Sequence, residues 1–260
     1  MIISNALKSD GLGTISEVIE GVETCVENGA KVISLSLAGP HASDIADDFY
    51  KELYEEKDIL IIAASGNDGK NIYTYPSSFS SVISTAAIDE NENIAKFSVY
   101  NKQVEISAPG VHVESTVPFN NYESFSGTSM ATPHVAGVVG LLWMYFPECK
   151  NYQIRNVLAA TAKQMNGLCC NEHTGYGLVQ AKDAYELLSQ GGCGGDIGGK
   201  ATGGCMQLHQ TMNSASSTCK LEPSCDNYDI CAVDCSKCDT SFIDTSLCKM
   251  RHFFSCDIEF

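Results

Sequence analysis

Apolar residues recur at helical spacing over residues 12–30, where Leu12, Ile15, Val18, Ile19, Val22 and Val26 alternate with acidic positions and Gly29 stands near the end. That spacing predicts an amphipathic helix. The compact apolar and β-branched run from Val32 to Leu37, closed by Gly39-Pro40, predicts a strand. The unit then repeats, with a helix expected over residues 44–57 (DIADDFYKELYEEK) and a nearly continuous apolar strand from Ile59 to Ala64 that ends in Ser-Gly-Asn. Two more short strands are expected over residues 82–88 and 104–110, then a long helix from near Ser129, and a last helix within residues 176–188. Strands apolar on both faces, alternating with helices, predict an α/β domain built on a mostly parallel sheet covered on both sides. The run from Val135 to Phe146, glycines included, is twelve residues long. It falls short of the roughly 20 that cross a bilayer and reads as a buried core helix, so no membrane insertion is expected.

Composition sharpens this picture. With 260 residues, 44% of them hydrophobic and 18% charged, the chain can bury a core in one large or two smaller domains, which excludes disorder and collagen-like repeats. Sixteen basic against 32 acidic residues give a net charge of −16, and such a surface repels phosphate backbones and anionic headgroups; nucleic acid is excluded as a partner. The opening residues, MIISNALKSDG, show neither the basic start nor the long apolar stretch of a signal peptide.

Cysteine divides the chain in two. Of 13 cysteines only Cys25, Cys149, Cys169 and Cys170 precede residue 190. Residues 191–204 hold eight glycines and predict a flexible linker between a domain at 1–190 and a Cys-rich module at 205–260. So dense a module reads as a disulfide scaffold of an oxidising compartment. Cys231, Cys235 and Cys238 carry the rival metal reading, but the paired spacing of a zinc site and a following His pair are both missing, and no metal ligands are assigned. Nine cysteines in the last 70 residues is an odd number, so at least one is free, pairs upstream or pairs outside the chain.

Two residues carry candidate chemistry. Ser129 stands among small residues just before an apolar run, with Pro133 expected in the first helical turn. A helix N-terminus there favours negative charge, as a nucleophile that creates an oxyanion requires; the plainer reading is a helix cap. Asn67 ends a buried strand, where α/β sheets form ligand crevices, and its amide can donate to an oxyanion; the plainer reading is a turn.

The eleven residues Gly127 to Gly137 (GTSMATPHVAG) resemble the serine signature of the subtilisin-like serine proteases. In that family's order, Ser36-Leu37-Ala38-Gly39-Pro40 is similar to the strand that binds the substrate backbone, and Ala63-Ala64-Ser65-Gly66-Asn67 to the oxyanion segment. Tyr75-Pro76, Ser107 to Gly110 and Gly175 to Val179 also fall where the family has them, and the resemblance covers about residues 1–188. It implies a subtilisin-like fold incomplete at the N-terminus, with Ser129 as nucleophile and Asn67 with the Ser129 N–H as oxyanion hole. It also implies a substrate site formed by Ser36, Leu37, Ala38, Gly39, Ala64, Ser65 and Gly66. Thr74 matches a pocket-floor position often held by glycine, which implies a shallower pocket, and Asp68 at the rim would attract basic side chains. Polypeptide substrates, secretion, a monomer and chemistry without a cofactor are the corresponding expectations. The resemblance allows structural calcium but assigns it no ligands here.

The departures matter equally. The family carries its triad aspartate in Asp-(Ser/Thr)-Gly and its histidine in His-Gly-Thr, and neither motif occurs here. Asp10-Gly11 falls too late in the fold to serve. His134 reads as a packing residue, and His41, just past the substrate strand, as a solvated side chain without an orienting carboxylate. The expectation is therefore a piece of an active protease, inactive or nearly so by itself. The alternative is a non-catalytic peptide-binding pseudoprotease that uses the Ser36–Gly39 edge for strand addition. An α/β-hydrolase is disfavoured, because Ala131 stands where its nucleophile elbow requires glycine.

Overall fold

Four parallel strands form the sheet, in the order β1 (Val32–Leu35), β2 (Leu60–Ala64), β3 (Val82–Ile88) and β4 (Val104–Pro109), in a computed structural model that describes residues 1–8, 11–165 and 170–193. The Cys-rich module and linker residues 194–204 lie outside the described residues. Every residue of β2 and β3 is buried, so both faces of the sheet are covered, as their unbroken apolar runs require. Helix α1 (Ile15–Glu27) starts on a capping box in which the Glu17 N–H donates to Thr14 Oγ1 at 3.2 Å and the Thr14 N–H to Glu17 Oε2 at 2.7 Å. Helix α2 (Asp44–Glu55) starts on Ser43 and buries Ala46, Tyr50, Leu53 and Tyr54.

A hairpin of β5 (Val113–Val117) and β6 (Asn121–Phe125) leads to α3 (Thr128–Tyr145), which packs against all four sheet strands. Helices α4 (Asn151–Thr161) and α5 (Ala181–Gly191) follow and pack on each other. Among the described residues no helix is long and apolar enough to cross a membrane.

Several expectations need correction. The first strand ends at Leu35 rather than Leu37, because Ser36 turns its polar groups to α3 and Gly39 pairs instead with Tyr75, each N–H donating to the other's carbonyl at 2.8 Å. Only one side of α3 is core: Val135, Val139, Leu142 and Trp143 are buried, whereas Leu141, Met144 and Tyr145 are exposed. The last helix begins at Ala181, because Gly175 and Gly177 approach the backbones of Glu105 and Lys163 too closely for any side chain and hold the segment before it extended. Leu178 and Val179 there bond to Lys163 and Ser107. Helix α5 takes in Gly191, and Cys193 is joined to Cys149 by a disulfide, so the first residues after 190 are anchored to the domain. That pairing is the upstream one allowed by the odd count; Cys170 is also disulfide-bonded, and Cys25 is free.

One buried ion pair ties α4 to β4. Arg155, fully buried, donates through Nε and Nη2 to the two carboxylate oxygens of Glu105 and through Nη1 and Nη2 to the carbonyls of Ser80 and Val82. Burial alone would lower its pKa, but the Glu105 carboxylate more than offsets this and leaves it above the ordinary arginine value.

Candidate active site

Ser129 is the second residue of α3, within the first turn, where helix N–H groups lack intrahelical partners. Gly110 makes this turn reachable: its N–H donates to the Ile88 carbonyl and its carbonyl accepts the Gly127 N–H at 2.8 Å. A Cβ on Gly110 would stand 2.6 Å from the Ala87 Cβ, so a larger residue would push the turn that carries Ser129 off the sheet.

Pro133 lies in the second turn, not the first, and its position has a consequence. Proline has no N–H to give the carbonyl four residues back, which is that of Ser129. That carbonyl accepts the Ser36 hydroxyl instead, at 2.8 Å, while Ser129 Oγ donates to the Ser36 carbonyl at 3.2 Å. The reciprocal pair clasps the end of β1 to Ser129.

Thr128, fully buried, builds the frame beside it. Its hydroxyl accepts the Gly66 N–H at 3.1 Å and donates to Asn67 Oδ1 at 3.0 Å, and its own N–H donates to the same Oδ1 at 2.9 Å. With Oδ1 held by two donors, the amide nitrogen of Asn67 is turned the other way, 3.4 Å from where a Cβ on Gly127 would lie. Neither Asn67 Nδ2 nor the Ser129 N–H donates to a described residue. The sequence motif contains Thr128, but its framing role was missed there; nothing in the residue type separates it from an ordinary first-turn threonine.

These groups border a cleft of about 650 Å³ whose lining includes Ser129, Asn67, Leu37, Ala38, Gly39 and Thr74. Ser36, Ala64, Gly66 and Asp68 also line it, as does His41. Ser65 does not: its side chain is fully buried and donates to the Val99 carbonyl at 3.1 Å. Gly66 adopts φ +107°, and a Cβ there would lie 3.1 Å from Val99 and 3.2 Å from the Thr74 methyl. The Thr74 hydroxyl donates to the Ser65 carbonyl at 2.6 Å, which fixes that methyl toward Gly66. At the back, burial pushes the Tyr50 hydroxyl up to about 12, so it stays neutral at ordinary pH.

Among the described residues no histidine stands as a base for Ser129. No imidazole among the described residues is hydrogen-bonded to Ser129 Oγ. His134 is exposed rather than packed, its Nδ1 bonded to the Met130 carbonyl at 2.8 Å, and His173 stacks on Tyr100. For a metal, the one grouping with ligand spacing among the described residues is Glu148, Cys149 and Cys193; the disulfide consumes both thiols, so it does not fit calcium or a thiolate metal.

The arrangement is a parallel α/β sheet with a serine in the first turn of a helix beside a side-chain amide held by two donors. The profile of the subtilase family matches residues 1–177, and the chain belongs to that family. It is 39% identical to Subtilisin DY of Bacillus licheniformis over 184 residues, which are 69% of this chain and 66% of that protein. It is 40% identical to the M-protease of Shouchella clausii over 178 residues, 68% of this chain and 46% of that protein. The chain thus spans from somewhat under half to about two thirds of these relatives. The crystal structure of the psychrophilic subtilisin-like protease Apa1 from Pseudoalteromonas sp. AS-11 shares the fold, with a TM-score of 0.67 and 22% identity over 74% of this chain and 78% of that one.

Proposed function

We propose that this chain carries the nucleophile, oxyanion hole and substrate strand of a secreted serine endopeptidase. The observation that supports the reading best is the Thr128 frame, which leaves Asn67 Nδ2 and the Ser129 N–H as two donors beside one hydroxyl. Ser129 Oγ attacks the peptide carbonyl carbon while its proton passes to a histidine base. The two donors hold the oxyanion, the C–N bond breaks as the amine leaves with that proton, and water, deprotonated by the same base, releases the acyl group from Ser129. The reading puts the base in the family's His-Gly-Thr segment, which these 260 residues do not contain. The disulfides at Cys149–Cys193 and Cys170 support an oxidising compartment.

A serine-directed fluorophosphonate applied to the protein as its source makes it is expected to label Ser129, mapped by peptide mass spectrometry. Label on another residue would overturn the assignment. A protein that takes no label and still binds an extended peptide after Ser129→Ala would be the peptide-binding pseudoprotease instead.

Two substitutions refine the site. Asn67→Ala is expected to lower kcat by about 10² to 10³, the cost measured for the corresponding asparagine of subtilisin itself, with KM little changed. An unchanged kcat would remove Asn67 from the oxyanion hole. Thr74→Ser keeps the hydroxyl's bond to Ser65 and deletes only the methyl toward Gly66. The kcat/KM ratio of phenylalanyl over alanyl substrates should rise about tenfold, the low end for one methyl-sized contact in a pocket; a constant ratio would mean that Thr74 does not floor the specificity pocket.

A further inference from the structure

Helix α3 carries no Asp, Glu, Lys or Arg from Thr128 to Tyr145, and a helix apolar on every side belongs inside a protein. Its last turns nevertheless face solvent on one side. Leu141, Met144 and Tyr145, three and four positions apart, form one exposed stripe, with Met144 67% and Tyr145 56% accessible. The stripe continues onto α5, where the exposed Tyr185 ring meets Tyr145 edge-on at 5.2 Å between centroids and Phe146 at 5.5 Å. Single exposed apolar residues are ordinary on a protein surface; a patch continuous across two helices marks an interaction site. Met144 lies roughly 22 Å along α3 from Ser129 at 1.5 Å of rise per residue, and none of these side chains lines the cleft.

The chain itself carries a segment suited to this patch. The Cys149–Cys193 disulfide pins the end of α5 close to the end of α3, so residues 194–260 set out from beside the exposed stripe. A contact made by a tethered segment is intramolecular and needs far less affinity than one between free molecules. Within 194–260, the run Lys249-Met250-Arg251-His252-Phe253-Phe254 joins three large apolar side chains to two fixed positive charges. Residues 245–256 hold no Asp or Glu, in a chain with 32 acidic against 16 basic residues. At the patch the charge is of the other sign: Glu148, exposed between the stripe and the disulfide, pairs with no described Lys or Arg. Lys182 and Glu186 on α5 pair with each other at 3.7 Å. A second copy is the poorer occupant, since it would set one chain of net charge −16 against another.

We propose that residues 249–254 of this chain dock on the patch formed by Leu141, Met144 and Tyr145 of α3 and Tyr185 of α5. Met250, Phe253 and Phe254 cover the apolar stripe, and Lys249 and Arg251 face Glu148. The contact holds the Cys-rich module at the end of α3 remote from Ser129 and leaves the cleft open. It uses none of the groups proposed to act on a substrate, so it stands apart from the proposed function.

The test uses the whole 260-residue chain with p-benzoylphenylalanine in place of Met144, irradiated in dilute solution and mapped by peptide mass spectrometry. A crosslink is expected within one molecule, to a peptide containing Phe253 and Phe254. The same probe in place of Ile45, an exposed apolar position on α2, should not give it. Phe253→Ser combined with Phe254→Ser should lower the yield at least about tenfold, as the loss of two apolar anchors predicts. Tyr185→Glu, at an exposed position of α5, should lower it likewise while leaving residues 194–260 unaltered. A link to any other part of 194–260, a link joining two copies, no link, or an equal link from position 45 would overturn the proposal. A yield unchanged by either set of substitutions would overturn it too.

Discussion

Replacing Ser129 by alanine is expected to lower peptide-bond turnover by about 10⁶ in the protein as its source makes it, the loss seen on removing the nucleophile of subtilisin itself. The size follows from the role proposed for Oγ. Without it no acyl-enzyme forms, and hydrolysis depends on direct attack by water on a bound peptide. The remaining donors still act on that attack, since Thr128 holds Asn67 independently of the Ser129 side chain. A residual rate of about 10³ to 10⁴ over water is therefore expected. The substitution should leave the fold intact, because the Ser36 hydroxyl binds the carbonyl of residue 129, not its side chain. Turnover of a chromogenic peptide, measured beside the thermal midpoint, checks both halves. A loss under tenfold at an unchanged midpoint would mean that another group attacks.

The parts of this site that sequence reveals are those fixed by residue type at one position. A serine and an asparagine at known places in an apolar pattern are legible as candidates for a nucleophile and a donor, and the continuous runs 60–64 and 82–88 point to buried strands. Thr128 escaped because its role lies in three bonds to residues about 60 positions away. Ser65 misled because a residue between two lining neighbours can still point into the core, as alternation along an extended chain dictates. The β5–β6 hairpin left little trace, since β6 (Asn-Tyr-Glu-Ser-Phe) is exposed throughout and has no inward face to keep apolar. Helix α4 did carry a signal, Ile154, Val157 and Leu158 on one face, interrupted in hydropathy by Arg155, whose burial no periodicity rule foresees.

Arg155 also sets the largest expected change in stability. Glu105→Gln keeps the shape of the side chain and removes its charge, leaving a fully buried guanidinium without a counter-ion. Breaking a buried pair from one side costs about 3–5 kcal/mol, because the Coulomb attraction is lost while the desolvation of the surviving charge remains. The damage should spread, since the Glu105 carbonyl also accepts the Tyr176 N–H and α4 meets the sheet here. Replacing both partners, Glu105→Leu with Arg155→Met, removes the stranded charge and should recover part of the loss. Recovery stays incomplete because the buried Val82 carbonyl loses the donor that Arg155 gives it, at about 1–3 kcal/mol for an acceptor left buried and unpaired. Urea unfolding followed by the fluorescence of Trp143, the chain's one tryptophan, reads both variants. A Glu105→Gln midpoint equal to that of the unaltered protein would show that water reaches Arg155 and that the pair does not hold α4 to β4.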